Sequence, residues 1–197
     1  MYLTKIIVEN FQSYYDSSPI NLESNLNLIL GTIGAGKSKL FNAFYWNFFG
    51  EIYKTENGWC PVGSSNFLAV FNKKGLKETQ ENENIKVKVV VSIKSDKDYT
   101  VSRYIEIKKL NDKDFNSEKN WKFINEELVV SFDNSEGNRI NIDNHYEARD
   151  YIVKKLLPKE ISKYIWFQGE TLNELIDIGN GKSFKDAINF ISYIGYY

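Results

Sequence analysis

The chain has 197 residues, with 25 Lys and Arg against 26 Asp and Glu and a formal net charge of −1, so bulk charge leaves no electrostatic footprint for nucleic acid. A single cysteine excludes an intrachain disulfide, and one cysteine with one histidine does not supply a His/Cys zinc site. No apolar run approaches the ~18–20 residues of a membrane span and Met1–Ile6 has no signal-peptide pattern, so no membrane partner and a reducing, cytoplasmic setting are expected.

In chain order, Leu3–Glu9 is rich in β-branched residues and reads as a strand, Asn10–Tyr14 as a turn, and Pro19–Leu22 as a second strand of a hairpin. Leu26-Asn27-Leu28-Ile29-Leu30 is a short apolar run that reads as a buried strand. Lys39–Phe49 reads as a helix, apolar on most sides and therefore buried, ending near Gly50.

Between that strand and that helix lies Gly31-Thr32-Ile33-Gly34-Ala35-Gly36-Lys37-Ser38, which matches G-x-x-x-x-G-K-[ST] at every defined position. Glycines let the backbone curl so that its N–H groups form a nest around phosphates. The following helix adds unpaired N–H groups and the positive end of its dipole. Lys37 is expected to reach the β- and γ-phosphates of a nucleoside triphosphate, and Ser38 to help hold Mg²⁺. The candidate binding residues of this stretch are Gly31, Ile33, Gly34, Ala35, Gly36, Lys37, Ser38 and Lys39, with Lys37 also a candidate catalytic residue. A plain glycine turn is the alternative, and the matching flanks disfavour it.

Gly58–Ser65 is rich in turn residues, and Lys77–Asn84 reads as an exposed loop. Residues 85–93 and Tyr99–Ile107 alternate with period two around an Asp96-Lys97-Asp98 turn. Further strands are expected at Trp121–Ile124, Glu127–Phe132 and Arg139–Ile142, giving a meandering antiparallel sheet. Asp143–Leu157 returns to helical spacing, with Asp143 or Asn144 as its cap and Pro158 as its stop. Tyr164–Phe167 reads as a short buried strand, and Thr171–Ile178 and Ser183–Tyr193 as helices. Gln168 follows the strand directly, where open α/β sheets place ligand contacts. Its amide suits Mg²⁺ ligation or positioning of a water.

Ile7–Tyr14, Leu26–Ser38 and Trp166-Phe167-Gln168-Gly169-Glu170, in that order, resemble the N-terminal head segment of SMC-like, SbcC-type coiled-coil ATPases. Phe71-Asn72-Lys73-Lys74 and Tyr99-Thr100-Val101-Ser102-Arg103 are similar to the DndD-type ATPases of DNA phosphorothioate systems. The resemblance implies an α/β P-loop NTPase fold, the N-terminal lobe of an ABC-type head, with an antiparallel β subdomain. It implies one half-head over 1–197: hairpin, loop and helix in 1–50, antiparallel sheet in 85–142, and in 143–197 a helix, the glutamine-loop strand and the start toward a coiled coil. It places Gln12 and Ser13 beside the nucleotide and makes Gln168 a metal ligand or a water-positioning residue in catalysis. Two positions depart from the family, which often has Asn where Ile33 stands and a basic residue where Gln12 stands, so Gln12 offers a hydrogen bond in place of a basic phosphate contact.

Phosphoryl transfer also needs an acidic strand end. Leu128–Asp133 is the nearest match, but it lacks a following glutamate and reads better as a hairpin strand. No Leu-Ser-Gly-Gly-type signature is present. In the resembled family both elements lie in a C-terminal head half. The chain is therefore expected to pair with that half, to form ATP-joined dimers of heads, to act on DNA in repair, processing or phage defence alongside an effector such as a nuclease, and to turn over ATP negligibly alone. A small P-loop kinase is the alternative, disfavoured by the 25 residues ahead of the loop strand and by Ile178–Lys182, which lacks basic lid residues. A transporter ATPase lacks its signature here, and a non-hydrolysing binding module is disfavoured by intact Lys37 and Ser38. Among other residues, Arg103 reads as an ion-pair member, Lys73-Lys74 and Lys108-Lys109 as solvated, His145 as a polar helix start and Cys60 as packed.

Overall fold

A computed structural model describes residues 1–16, 19–24 and 26–166. The backbone divides into two compact units, Met1–Asp150 and Tyr151–Tyr197.

The first unit is built on a six-stranded antiparallel sheet. Its strands are β1 (Tyr2–Glu9), β2 (Ile20–Asn21), β5 (Asn84–Lys94), β6 (Asp98–Lys109), β7 (Trp121–Asp133) and β8 (Arg139–Ile142), in the order β2-β1-β5-β6-β7-β8. Period-two patterning decides which face is covered: Ile85, Val87, Val89, Val91 and Ile93 of β5 and Tyr99, Val101, Ile105 and Ile107 of β6 are all buried. Helix α1 (Lys37–Phe49) supplies Phe44, Trp46 and Phe48 to the same core, and Asn47 Nδ2 donates to the carbonyls of both Val89 and Val101.

Helix α1 ends at Gly50, whose φ of 71° and N–H bond to Trp46 O form a left-handed cap. Glycine suits this cap, and a Cβ there would also crowd Arg103 Nη1 at 3.2 Å. The chain then forms a second, two-stranded sheet from β3 (Glu51–Lys54) and β4 (Gly58–Pro61). Asn57 N–H bonds Lys54 O and Gly58 adopts φ 69°, a type I turn closed by a left-handed glycine. The turn-rich reading of Gly58–Ser65 missed this hairpin, although Asn57-Gly58 was its signal. A 3₁₀ turn (Phe67–Val70) leads to α2 (Lys73–Glu78), whose N-terminus is capped by Asn72 Oδ1 accepting from Lys74 and Gly75 N–H.

Several expectations are corrected. The Trp121–Ile124 and Glu127–Phe132 segments are one strand, β7. Opposite it, Glu106 pairs with Asn125 and Ile107 with Phe123, so Ile124 is an extra, bulged residue. The bulge breaks the alternation and made one strand read as two. Lys109 is buried rather than solvated, its ammonium bonding Thr79 O at 2.6 Å and Asp112 at 2.6 Å. Leu26–Leu30 is not a strand and not buried: no ladder pairs it among the described residues, and Leu26, Leu28 and Leu30 are 85%, 76% and 80% exposed. An apolar run is strand-like only in the presence of a partner edge.

Helix α3 (His145–Tyr151) starts on Asn144, whose Oδ1 accepts from Tyr146 and Glu147 N–H. In the second unit a π turn (Ile152–Leu156) and α4 (Lys159–Ile165) follow. The strand expected at Tyr164–Phe167 is corrected, because Tyr164 and Ile165 are the last residues of α4. Pro158 starts this helix as its N-cap instead of only ending the one before. Phe167, Gln168, Gly169, Glu170 and the two later helices lie outside the described residues.

Candidate nucleotide-binding loop

The loop from Gly31 to Gly36 curls around its own lysine. Lys37 Nζ donates to Gly31 O at 2.6 Å and to Thr32 O at 3.0 Å, and Ala35 N–H bonds Thr32 O. Gly34 and Gly36 hold φ of 84° and 91°, which a side chain rarely tolerates. The closure at Gly31 is tight, since a Cβ there would lie 3.1 Å from that of Ala35. Helix α1 then opens on Lys37 with no side-chain cap and no acidic residue in its first turn. Its positive end faces the loop without a local carboxylate to oppose an anion. Gly31–Ala35 are exposed, as are Ser38 and Lys39.

The turn after β1 packs against this loop. A Cβ on Gly36 would meet Tyr14 Oη at 3.5 Å and Ser13 Cβ at 3.6 Å, and Tyr14 Oη donates to Gly36 O at 3.3 Å. Half-burial pushes the Tyr14 phenol above its ordinary pKa, so it remains a donor across the neutral range. Asn10 and Gln12 in this turn adopt positive φ of 51° and 45°. Such backbone persists only when surroundings over-determine it. Here Asn72 N–H bonds Asn10 O, Asn72 Nδ2 bonds Gln12 O at 2.6 Å, and Gln12 N–H bonds Val70 O at 2.8 Å.

The structure thus brings Ser13 and Tyr14 against Gly36 of the loop. Gln12 is used differently from the expectation. Its Nε2 donates to Ala69 O at 3.1 Å, and its Oε1 accepts from Asn42 Nδ2 at 3.4 Å. Asn42 in turn grips the hairpin: Nδ2 donates to Tyr53 O at 3.1 Å and Oδ1 accepts from Tyr53 N–H at 2.9 Å. Sequence reading gave Asn42, Asn72 and Tyr14 no role of their own. Tyr14 carried a signal within Ile7–Tyr14 and Asn72 within Phe71-Asn72-Lys73-Lys74, whereas Asn42 carried none. Ile33 stands at the exposed crest of the loop, and Gln168 lies outside the described residues.

The donor set suits a magnesium–triphosphate pair. Among the described residues no group of three or more His, Cys, Asp or Glu side chains is placed to hold a metal. Mg²⁺ in nucleotide sites needs few protein ligands and takes the rest from phosphates and water. The Ser38 hydroxyl at the head of α1 fits that role. Asp133 ends β7, exposed, in an ion pair with Arg139 at 3.2 Å.

A profile for the AAA domain matches residues 5–192. The chain belongs to this family. Membership agrees with the α/β P-loop fold class and with the resemblance to an SMC-like head segment drawn from the sequence. Among solved structures the chain is similar to one from work on "ATP-driven dimerization and DNA stimulated activation of SMC ATPases", at 16% identity, with 90% of this chain and 98% of that chain covered and a TM-score of 0.43. That similarity is loose, and no residue assignment rests on it. No curated protein matches significantly.

Proposed function

We propose that this chain is the ATP-binding N-terminal half of an SMC-like ATPase head that works on DNA in repair, processing or defence. The carrying observation is the glycine loop closed around Lys37 at the uncapped N-terminus of α1. In this reading Lys37 contacts the terminal phosphates, the loop N–H groups cradle the chain of phosphates, and Ser38 with Gln168 holds Mg²⁺ and orients the attacking water. Ser13 lines the site, and Gln12 supports it through Asn42.

A complementary lobe completes the head. The exposed apolar run Leu26–Leu30 leads directly into the loop, and its backbone has no ladder among the described residues. Strands of a C-terminal half would pair with it, bury it and supply the acidic residue that this sequence lacks. ATP bound between two such heads would then join them, and an effector such as a nuclease would respond to their opening.

The test is Mg²⁺-ATP binding and turnover by the chain alone and mixed with its C-terminal half, with Lys37→Ala as control. Turnover is expected only in the mixture and is expected to vanish in Lys37→Ala. Robust turnover by the pure chain would sink the split-head reading and return attention to Asp133 and a kinase.

A further inference from the structure

From the turn after β1, Tyr14 reaches the backbone of the phosphate loop. Its hydroxyl donates to Gly36 O at 3.3 Å, and its ring atom Cε2 would lie 3.7 Å from a Cβ at Gly36. The approach is open because Gly36 carries no side chain. The turn itself is anchored in the core. Phe11 is fully buried, its ring centroid 5.4 Å from that of Trp46, and Tyr14 N–H bonds Phe11 O at 2.7 Å. Phe11 also bridges to Phe71, and Asn72 bonds the carbonyls of Asn10 and Gln12. These contacts give the Tyr14 hydroxyl a defined place beside Gly36.

The Gly36 carbonyl is where this contact acts. It also accepts from Lys39 N–H at 2.9 Å and from Leu40 N–H at 3.0 Å, closing the first turn of α1. Those donors belong to the helix, whereas the phenol comes from outside it. In a trans peptide the N–H points away from the C=O, so whatever aims the Gly36 carbonyl also aims the Lys37 N–H. Lys37 opens α1, and the first N–H groups of a helix have no intrahelical partner. The Lys37 N–H is therefore one of the donors this end of the helix offers to an anion. A hydrogen bond accepted by the carbonyl also polarises the peptide and strengthens its N–H as a donor. Burial raises the Tyr14 phenol above its ordinary pKa, so this support persists across the neutral range.

We infer that Tyr14 is a positioning residue of the phosphate site, its hydroxyl orienting and polarising the Gly36–Lys37 peptide whose N–H meets the phosphates. This inference rests on the triphosphate reading of the loop and adds to it a residue that acts through the backbone. The oxygen carries the effect and the ring does not. Because the effect falls on a phosphate donor, it is the same for a nucleotide and for a triphosphate without a base.

The experiment titrates Mg²⁺-ATP and Mg²⁺-tripolyphosphate into the full chain by calorimetry and follows the Lys37 amide by NMR. Tyr14→Phe removes one oxygen and keeps the ring. It is expected to weaken both ligands alike, by about fivefold, the scale of one neutral hydrogen bond. It is also expected to move the Lys37 amide proton upfield in the ligand-free protein, a change that loss of ring packing elsewhere would not produce. Wild-type affinity in Tyr14→Phe overturns the inference and leaves the ring as packing alone. A loss confined to ATP overturns it as well, since the phenol would then be meeting the nucleoside. So does weaker binding with an unmoved Lys37 amide, which would exclude the peptide as the route. If Tyr14→Phe does not fold, Tyr14→Met, unbranched and without a donor, carries the same criteria. Lys37→Ala tests the underlying reading separately, since it must weaken both ligands; if it weakens neither, the phosphate loop itself is misassigned, whatever Tyr14→Phe does.

Discussion

Asn42 and Tyr53 are joined at both ends of one side-chain amide, Nδ2 on the Tyr53 carbonyl at 3.1 Å and Oδ1 on its N–H at 2.9 Å. The amide thereby acts as a short ladder between helix α1 and the β3–β4 hairpin. Its link to Gln12, at 3.4 Å, extends the connection to the turn that touches Gly36. The turn that touches the phosphate loop is therefore tied, through Gln12 and Asn42, to the hairpin after α1.

Asn42→Ala removes both bonds and strands the Tyr53 backbone groups. Leaving a partly buried polar group unsatisfied costs about 1–3 kcal/mol. The expected outcome is a lower urea midpoint with an unchanged slope. Asn42→Asp keeps the acceptor but sets a buried carboxylate against the Tyr53 carbonyl and Gln12 Oε1, so it is expected to lose at least as much stability as alanine.

Gly36→Ala is expected to impair nucleotide binding more than folding. A φ of 91° is costly for alanine, and the new methyl meets Tyr14 Oη and Ser13 Cβ. Left-handed backbone at a residue with a Cβ costs roughly 1–2 kcal/mol. The loop escapes by shifting, which spoils the N–H nest. ATP titration together with thermal melting measures the two effects separately. Binding that survives at wild-type strength would contradict the role given to this turn.

Arg103 ties β6 to the end of α1. Its guanidinium is paired with Glu126, and Nε donates to Asn47 O at 3.2 Å. Burial pushes the guanidinium below its ordinary pKa, and Glu126 opposes that. Breaking a buried pair from one side typically costs about 3–5 kcal/mol, whereas an apolar pair of similar volume is often tolerated. Arg103→Met alone is therefore expected to destabilise strongly, and Arg103→Met with Glu126→Met to recover most of the loss in chemical denaturation. A double variant as unstable as the single would place the cost in lost packing on Trp46 rather than in the stranded carboxylate.

His145, at the start of α3, has a depressed pKa, first from desolvation and then from the nearby Arg103 charge, with Glu126 acting in the opposite sense. The unfolded imidazole, with a pKa of about 6.5, binds a proton more readily than the folded one. The stability contribution is thus present above about pH 6.5 and is lost as pH falls through the folded value. Denaturation midpoints across mildly acidic pH should fall for the wild type and fall less steeply for His145→Gln. Parallel pH profiles for the two proteins would remove His145 from this role.

Local patterns carried much of the architecture. Alternation located β5 and β6 within two residues of their observed ends, because burial of every second residue is written directly into the side chains. Ile124 shows the limit: its bulge depends on the register of β6 opposite, and the period of β7 alone reads as a gap. Tyr164 and Ile165 show another, since a four-residue apolar run has no length with which to choose between strand and helix.

The sequence by itself determined the chemistry of the loop, since Gly31, Gly34, Gly36, Lys37 and Ser38 specify backbone freedom, a cation and a hydroxyl at fixed spacing along the chain. Its motifs at Ile7–Tyr14, Leu26–Ser38 and Trp166–Glu170 also carried the resemblance that implied the class of fold. Tertiary structure alone decided what surrounds the loop. Gln12 meets Ala69 and Asn42, Asn42 meets Tyr53, and Trp59 lies over Phe41 and Tyr45. Hydrogen bonds and ring contacts between residues tens of positions apart depend on how elements dock, and no local period encodes that. The same reason leaves Leu26–Leu30 strand-like in composition yet outside any ladder among the described residues, because a strand exists only where another edge meets its backbone.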